Sequence, residues 1–138
     1  MSTHQTVVKV ATSGRGLIQI TAEVVDFVRQ SSVEIGMCNV FIHHTSASLI
    51  VNENYDADVL LDLEAFMCRL VVDGDTLFKH VAEGPDDMPS HIRSILTQTS
   101  VNIPVTNKKL VLGRWQGIFL WEHRFEPHER TITLTVLS

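Results

Sequence analysis

Two cysteines, four prolines and seven glycines are all that the 138 residues contain of those types. So sparse a supply excludes a disulfide scaffold, a collagen-like repeat and a turn-rich low-complexity chain. Cys38 and Cys68 stand in separate predicted elements and form no CxxC pair, so they read as buried thiols in preference to a disulfide. No stretch approaches the roughly 20 apolar residues of a membrane helix. Met1-Ser2-Thr3-His4-Gln5 lacks the basic flank and apolar run of a secretory signal, so a cytoplasmic protein with no membrane partner is expected. Positive charge is also short: 11 Lys and Arg face 16 Asp and Glu, a formal net charge of -5. A general nucleic-acid binder carries a basic stripe, so nucleic acid is not an expected partner. Neither GxGxxG nor GxxxxGK[ST] occurs, which removes two glycine-rich phosphate cradles.

What is present is ordinary globular material, 44% hydrophobic and 20% charged. Such a chain buries roughly two-thirds of its unfolded surface, enough for one core. No repeat or linker interrupts it, and residues 1–138 read as a single domain. β-branched runs at 6–10 and 17–21 suggest short strands around the Ser13-Gly14-Arg15-Gly16 turn. Thr21 is placed to cap a helix whose Val24, Val25, Phe27 and Val28 share one face. Residues 36–44 alternate as a strand, and 48–51 form another extended run. The clearest helix starts near Asp56: Val59, Leu60, Leu63, Phe66, Met67 and Leu70 form one stripe of a 3.6-residue period. A third helix is expected from about Pro89, with Ile92, Ile95 and Leu96 inward. Strand patterns follow at 101–105, 109–112, 118–123 and 131–137, with Asn107-Lys108 as a tight turn. Short-linked strands with helices inserted in two places predict an α+β fold: a largely antiparallel sheet with two or three helices packed on it.

Seven histidines invite a search for a metal site. One cluster is His43-His44-Thr45-Ser46-Ala47-Ser48, at a strand end. Successive strand side chains point to opposite faces, so at most one of His43 and His44 serves a given site. The second cluster, from His80 to His91, sets a histidine at each end of a polar loop, Glu83-Gly84-Pro85-Asp86-Asp87. A third imidazole from a distant segment would complete the set that a catalytic zinc, or a similar divalent ion, requires. The competing reading is a set of solvated or hydrogen-bonded histidines. His123 shares parity with Trp115, Phe119 and Trp121 and reads as a satisfied histidine on an apolar face. Thr45, Ser46 and Ser48 are able to cradle a phosphate or simply to satisfy their own turn. Glu53, Glu83, Asp86 and Asp87 are the candidate acid–base or ligand-orienting carboxylates. Trp115, between Gly113 and Gly117, reads as packing in preference to stacking on a substrate.

Taken together, His44-Thr45-Ser46-Ala47-Ser48, Asn52-Glu53-Asn54, the run from Glu83 to His91, and Trp115-Gln116-Gly117-Ile118 resemble the YjbQ-like family. Members of that family are small proteins described as secondary thiamine-phosphate synthases. The resemblance spans essentially the whole chain, in order. It implies a homotrimer with polar pockets near its interfaces and a divalent metal held by histidines, carried over here to His44, His80 and His91. It further implies substrate contacts from Thr45, Ser46, Ser48, Asn54, Glu83, Gly84 and Gln116, with Glu53 and Asp87 in catalytic roles. Many members continue Glu-Phe-Asp-Gly-Pro-Arg after the Trp-Gln-Gly strand. This chain reads Glu122-His123-Arg124-Phe125-Glu126-Pro127, so Arg124 and Arg130 are both candidates for an anion-binding arginine.

The implied reaction joins hydroxymethylpyrimidine diphosphate to a thiazole phosphate and releases pyrophosphate. Such chemistry needs a cation on the leaving diphosphate and donors for phosphate oxygens. Three histidines favour a zinc-like ion, whereas diphosphates usually recruit magnesium through carboxylates. Two rival readings stand beside the synthase: a metal-dependent hydrolase of a small phosphorylated or acyl substrate, and a non-catalytic module for a metal or an anionic metabolite.

Overall fold

A computed structural model describes residues 2–138. Its strands are β1 (Thr3–Ala11), β2 (Gly16–Gln19), β3 (Ile35–Ile42), β4 (Ala47–Glu53), β5 (Ser100–Thr106), β6 (Lys109–Leu110), β7 (Gln116–Glu122) and β8 (Glu129–Leu137). Its helices are α1 (Thr21–Ser31), α2 (Ala57–Leu70) and α3 (Asp87–Leu96). The architecture is α+β, and every strand pairing is antiparallel.

Local chemistry accounts for the helix boundaries. The Asp56 carboxylate accepts the Asp58 N–H at 2.9 Å and starts α2, as a side-chain cap should. α3 begins two residues before the expected Pro89. The proline still falls in the first turn, where its missing N–H costs nothing. Thr21 does not cap α1; Ile20 holds that position, and the Thr21 hydroxyl accepts the Ile118 N–H at 2.9 Å. On the expected apolar face of α1, Val24 and Val28 are buried while Val25 is exposed. The Asn107-Lys108 turn is a two-residue hairpin between Thr106 and Lys109. Both residues adopt positive φ, 53° and 64°, without the usual glycine.

Two sheets form where one was expected. A five-stranded sheet runs β1-β8-β3-β5-β6, and a three-stranded sheet runs β2-β7-β4. The larger sheet presents Cys38, Val40, Ile42, Ile103, Ile132 and Leu134 to the main core. The smaller sheet meets them with Ala47, Leu49, Ile118 and Leu120, and α1 adds Val24 and Val28. The smaller sheet's other face carries Trp121, which packs with Met67 and Val71 of the α2 segment and with Ile92 of α3. β7 is therefore covered on both sides, which explains its unbroken burial from Gly117 to Glu122. On α2, Phe66 and Leu70 lie outside this contact and are exposed. Cys38 and Cys68 are free thiols, the first buried and the second exposed. No helix among the described residues is long and apolar enough to cross a membrane.

Candidate metal centre

The site forms where the acidic loop meets the end of β7. Asp86, just before α3, accepts the Phe125 N–H and the Arg124 Nε–H, each at 2.9 Å. Arg124 then donates through Nη1 to Asp87 Oδ1 at 2.7 Å and through Nη2 to the Glu83 carbonyl at 2.9 Å. One guanidinium thus clamps three points of the loop and fixes the plane of the Asp87 carboxylate. Its other oxygen, Oδ2, faces His80 Nε2 at 2.6 Å and His91 Nε2 at 3.1 Å. Asp87 and His91 are four residues apart on α3 and so share a helix face. His80, Asp87 and His91 each offer one ligand atom, and the three atoms lie within 4.8 Å of one another.

His91 gives this cluster its meaning. Its Nδ1 lies 3.0 Å from the Thr45 carbonyl, which can only accept, so Nδ1 carries a proton. In a neutral ring Nε2 is then a lone pair facing a carboxylate oxygen. Two lone pairs at hydrogen-bond distance repel unless a cation lies between them, either a second proton or a metal ion. Burial resists ionisation of Asp87, but the bond from His80 and the charge of Arg124 outweigh it. They hold its carboxyl below the usual range. Metal–ligand bonds of about 2.0–2.1 Å set neighbouring donors roughly 3.0–3.4 Å apart, so small side-chain adjustments bring these three to an ion. The side chains of His80 and His91 are 45% and 33% exposed, which leaves the outer side open to solvent.

The structure distributes the other expected residues differently. His44 is outside the three-donor group: its Nε2 accepts the Thr131 N–H at 2.8 Å. Burial and the nearby Arg130 push its pKa down. Thr45 contributes its carbonyl rather than its hydroxyl. Ser46 accepts from Arg130 through both Oγ and the carbonyl. Ser48 is 1% exposed and turns inward to His123, so within this chain it does not face a phosphate. Glu83 lies beside the cluster, with Oε2 3.4 Å from His80 Nε2. Gly84 takes φ 108° at the loop's turn, a conformation that glycine adopts without strain. Glu53, Asn54 and Gln116 sit at the opposite end of β4 and β7, about 20 Å away at the rise of a strand. Arg124 is committed to carboxylates, and Arg130 is paired with the buried Glu122. Neither arginine presents a free guanidinium to an anion.

Sequence reasoning passed over a buried network behind this site. Arg93, on α3 and fully buried, donates through Nη2 to both carboxylate oxygens of Glu64 of α2, at 2.6 and 2.8 Å. Its Nε–H donates to His123 Nδ1 at 3.0 Å, and His123 Nε2 meets the Ser48 hydroxyl at 2.8 Å. The Trp121 indole N–H also reaches Glu64, at 2.9 Å. Burial first, then the charges of Arg93, Arg15 and Arg130, drive the His123 pKa down to about 2. The sequence signalled only the satisfied histidine, His123; α3 buries Asp87, Pro89, Ser90 and Arg93, while Ile95 and Leu96, expected inward, are exposed.

A UPF0047 YjbQ-like family model matches residues 6–138. The chain belongs to this family. A UPF0047 protein from Synechocystis is 49% identical over 96% of this chain and 90% of its own length. The UPF0047 protein YjbQ of Escherichia coli O157:H7 is 39% identical over 96% of both chains. Among solved structures, a YjbQ/UPF0047-family protein of Clostridium acetobutylicum superposes with a TM-score of 0.88 at 34% identity, covering 96% of this chain and 99% of that one. A conserved hypothetical protein from Thermus thermophilus gives 0.86 at 29% identity, over 96% and 99%. The solved YjbQ/UPF0047 relative shares this fold, and the motifs quoted above fall on loops, strand ends and the start of α3.

Proposed function

We propose that this YjbQ-like protein is a metal-dependent enzyme acting on a small phosphorylated metabolite, with the ion held by His80, Asp87 and His91. The observation that carries the reading is the His91 Nε2 lone pair directed at Asp87 Oδ2 while Nδ1–H is committed to Thr45. Two imidazoles and one carboxylate suit zinc, manganese or ferrous iron better than magnesium, which favours oxygen ligands. A bound divalent ion supplies Lewis-acid polarisation of a phosphoryl or carbonyl oxygen. Around it the chain contributes definite roles. Thr45 and Arg124 orient His91 and Asp87, and Glu83 stands within reach to accept a proton. The open outer side admits a substrate and water.

Hydrolysis fits these groups most directly, because a carboxylate proton acceptor is at hand and no free arginine faces the cluster. The thiamine-phosphate synthase reaction implied by the family likeness is the second reading. It needs further anion donors, which a neighbouring subunit would have to bring. Metal analysis followed by assay with the restored ion separates the two. Inorganic phosphate released from phosphomonoesters supports the hydrolase, and thiamine phosphate formed from both precursors supports the synthase. A metal-loaded protein that does neither is a binding module.

We also propose that three copies assemble. Among the described residues, no layer covers the outer face of the five-stranded sheet. It exposes Val7, Ile35, Met37, Phe41 and Leu137, with Val7 and Phe41 flanking Thr133 in one cross-strand row. From a chain mass of 15.5 kDa, light scattering at micromolar concentration is expected to read roughly 46 kDa. A reading near one chain mass overturns the trimer.

A further inference from the structure

Glu53, Tyr55 and Trp115 line a concavity of about 280 Å³ at the far end of β4, remote from the metal cluster. The chain has one tyrosine and two tryptophans. Trp121 is 2% exposed, as a packing tryptophan should be, whereas Trp115 is 48% and Tyr55 70% exposed. Their rings meet edge to face, with centroids 4.8 Å apart and planes at 85°. The Asn54 N–H donates to the Trp115 carbonyl at 2.9 Å, so the two aromatic residues are joined through backbone at the ends of paired strands. Glu53 accepts the Asp56 N–H through Oε2 at 3.2 Å, and among the described residues its Oε1 has no partner.

The occupant is indicated by what already lies there. The Arg114 guanidinium sits 4.7 Å from the Trp115 ring centroid. Among the described residues Arg114 has no carboxylate within 4.0 Å, so the ring itself holds this cation. Perpendicular aromatic rings beside a carboxylate form the environment in which alkylammonium and quaternary ammonium groups are bound, through ring quadrupole and charge together. We propose that the Tyr55–Trp115–Glu53 corner is a binding subsite for an organic ammonium group, and that Arg114 is its resident competitor.

Titration of ¹⁵N-labelled protein with choline chloride, followed through the two indole N–H resonances, tests this. Trp115→Phe assigns the exposed indole. The expected result is a saturable shift of the Trp115 signal with a midpoint of about millimolar order, and no shift of Trp121. Arg114→Ala should lower the midpoint, Glu53→Gln should raise it several-fold, and the neutral isostere 3,3-dimethylbutan-1-ol should leave the signal unmoved. Equal shifts with choline and the isostere would show a merely apolar concavity and overturn the proposal. So would the absence of a saturable shift in both the wild type and Arg114→Ala. Sodium chloride at matched ionic strength removes non-specific salt effects.

Discussion

Replacing Asp87 by Asn should weaken divalent-ion binding at the proposed site by more than about 100-fold, because the substitution removes the charged donor that both histidines face. His91→Ala and His80→Ala should do the same. Arg124→Gln should cost about tenfold, since Arg124 orients the Asp87 carboxylate without itself being a donor. His44→Ala should keep the ion, because His44 spends Nε2 on the Thr131 N–H. Elemental analysis and competition with a chromogenic chelator give the numbers. The assignment fails if His44→Ala loses as much metal as His91→Ala while Asp87→Asn retains it. It fails equally if the metal-free wild type at neutral pH shows His91 doubly protonated by ¹⁵N NMR and takes up no ion, since a proton would then fill the gap between Nε2 and Oδ2.

The second large effect lies in the buried network. Arg93→Met should destabilise the fold by about 3–5 kcal/mol, because it leaves Glu64 charged and His123 Nδ1 without a donor between the helices and the smaller sheet. The wild type should also lose stability in mild acid. The His123 pKa is about 2 in the fold against an ordinary 6.5. Between those values the unfolded chain binds a proton that the native protein refuses. Stability is therefore complete above pH 6.5 and declines below it, by about 1.4 kcal/mol per pH unit from this group. The depressed carboxyls of Glu64 and Glu122 add to the loss at lower pH, as they protonate on unfolding. Urea midpoints at pH 7, 6 and 5 measure the effect, and His123→Gln should flatten the slope. A midpoint constant from pH 7 to 5 would contradict the buried neutral imidazole.

Much of the architecture is readable in the amino-acid sequence. Helix α2 announces itself through a 3.6-residue apolar stripe and an aspartate cap, and the strands through β-branched alternation, because both signals depend on neighbours within a few residues. The absence of a membrane-spanning helix, the α+β class and the family motifs are likewise local properties. His80 and His91 flank one acidic loop, so a loop-and-helix reading brings those two near each other; the family likeness points to His44 beside them, whereas the fold sets Asp87 there. What the linear order could not decide is which groups spend their lone pairs on each other. Tertiary pairing set His44 against the Thr131 N–H, turned Ser48 inward to His123, and locked Arg124 and Arg130 onto carboxylates. It also divided the strands into two sheets and left Trp115 on the surface while burying Trp121. Residue type states what a side chain is able to donate or accept. The partner it meets, tens of residues away in the chain, determines whether that capacity remains free for a ligand.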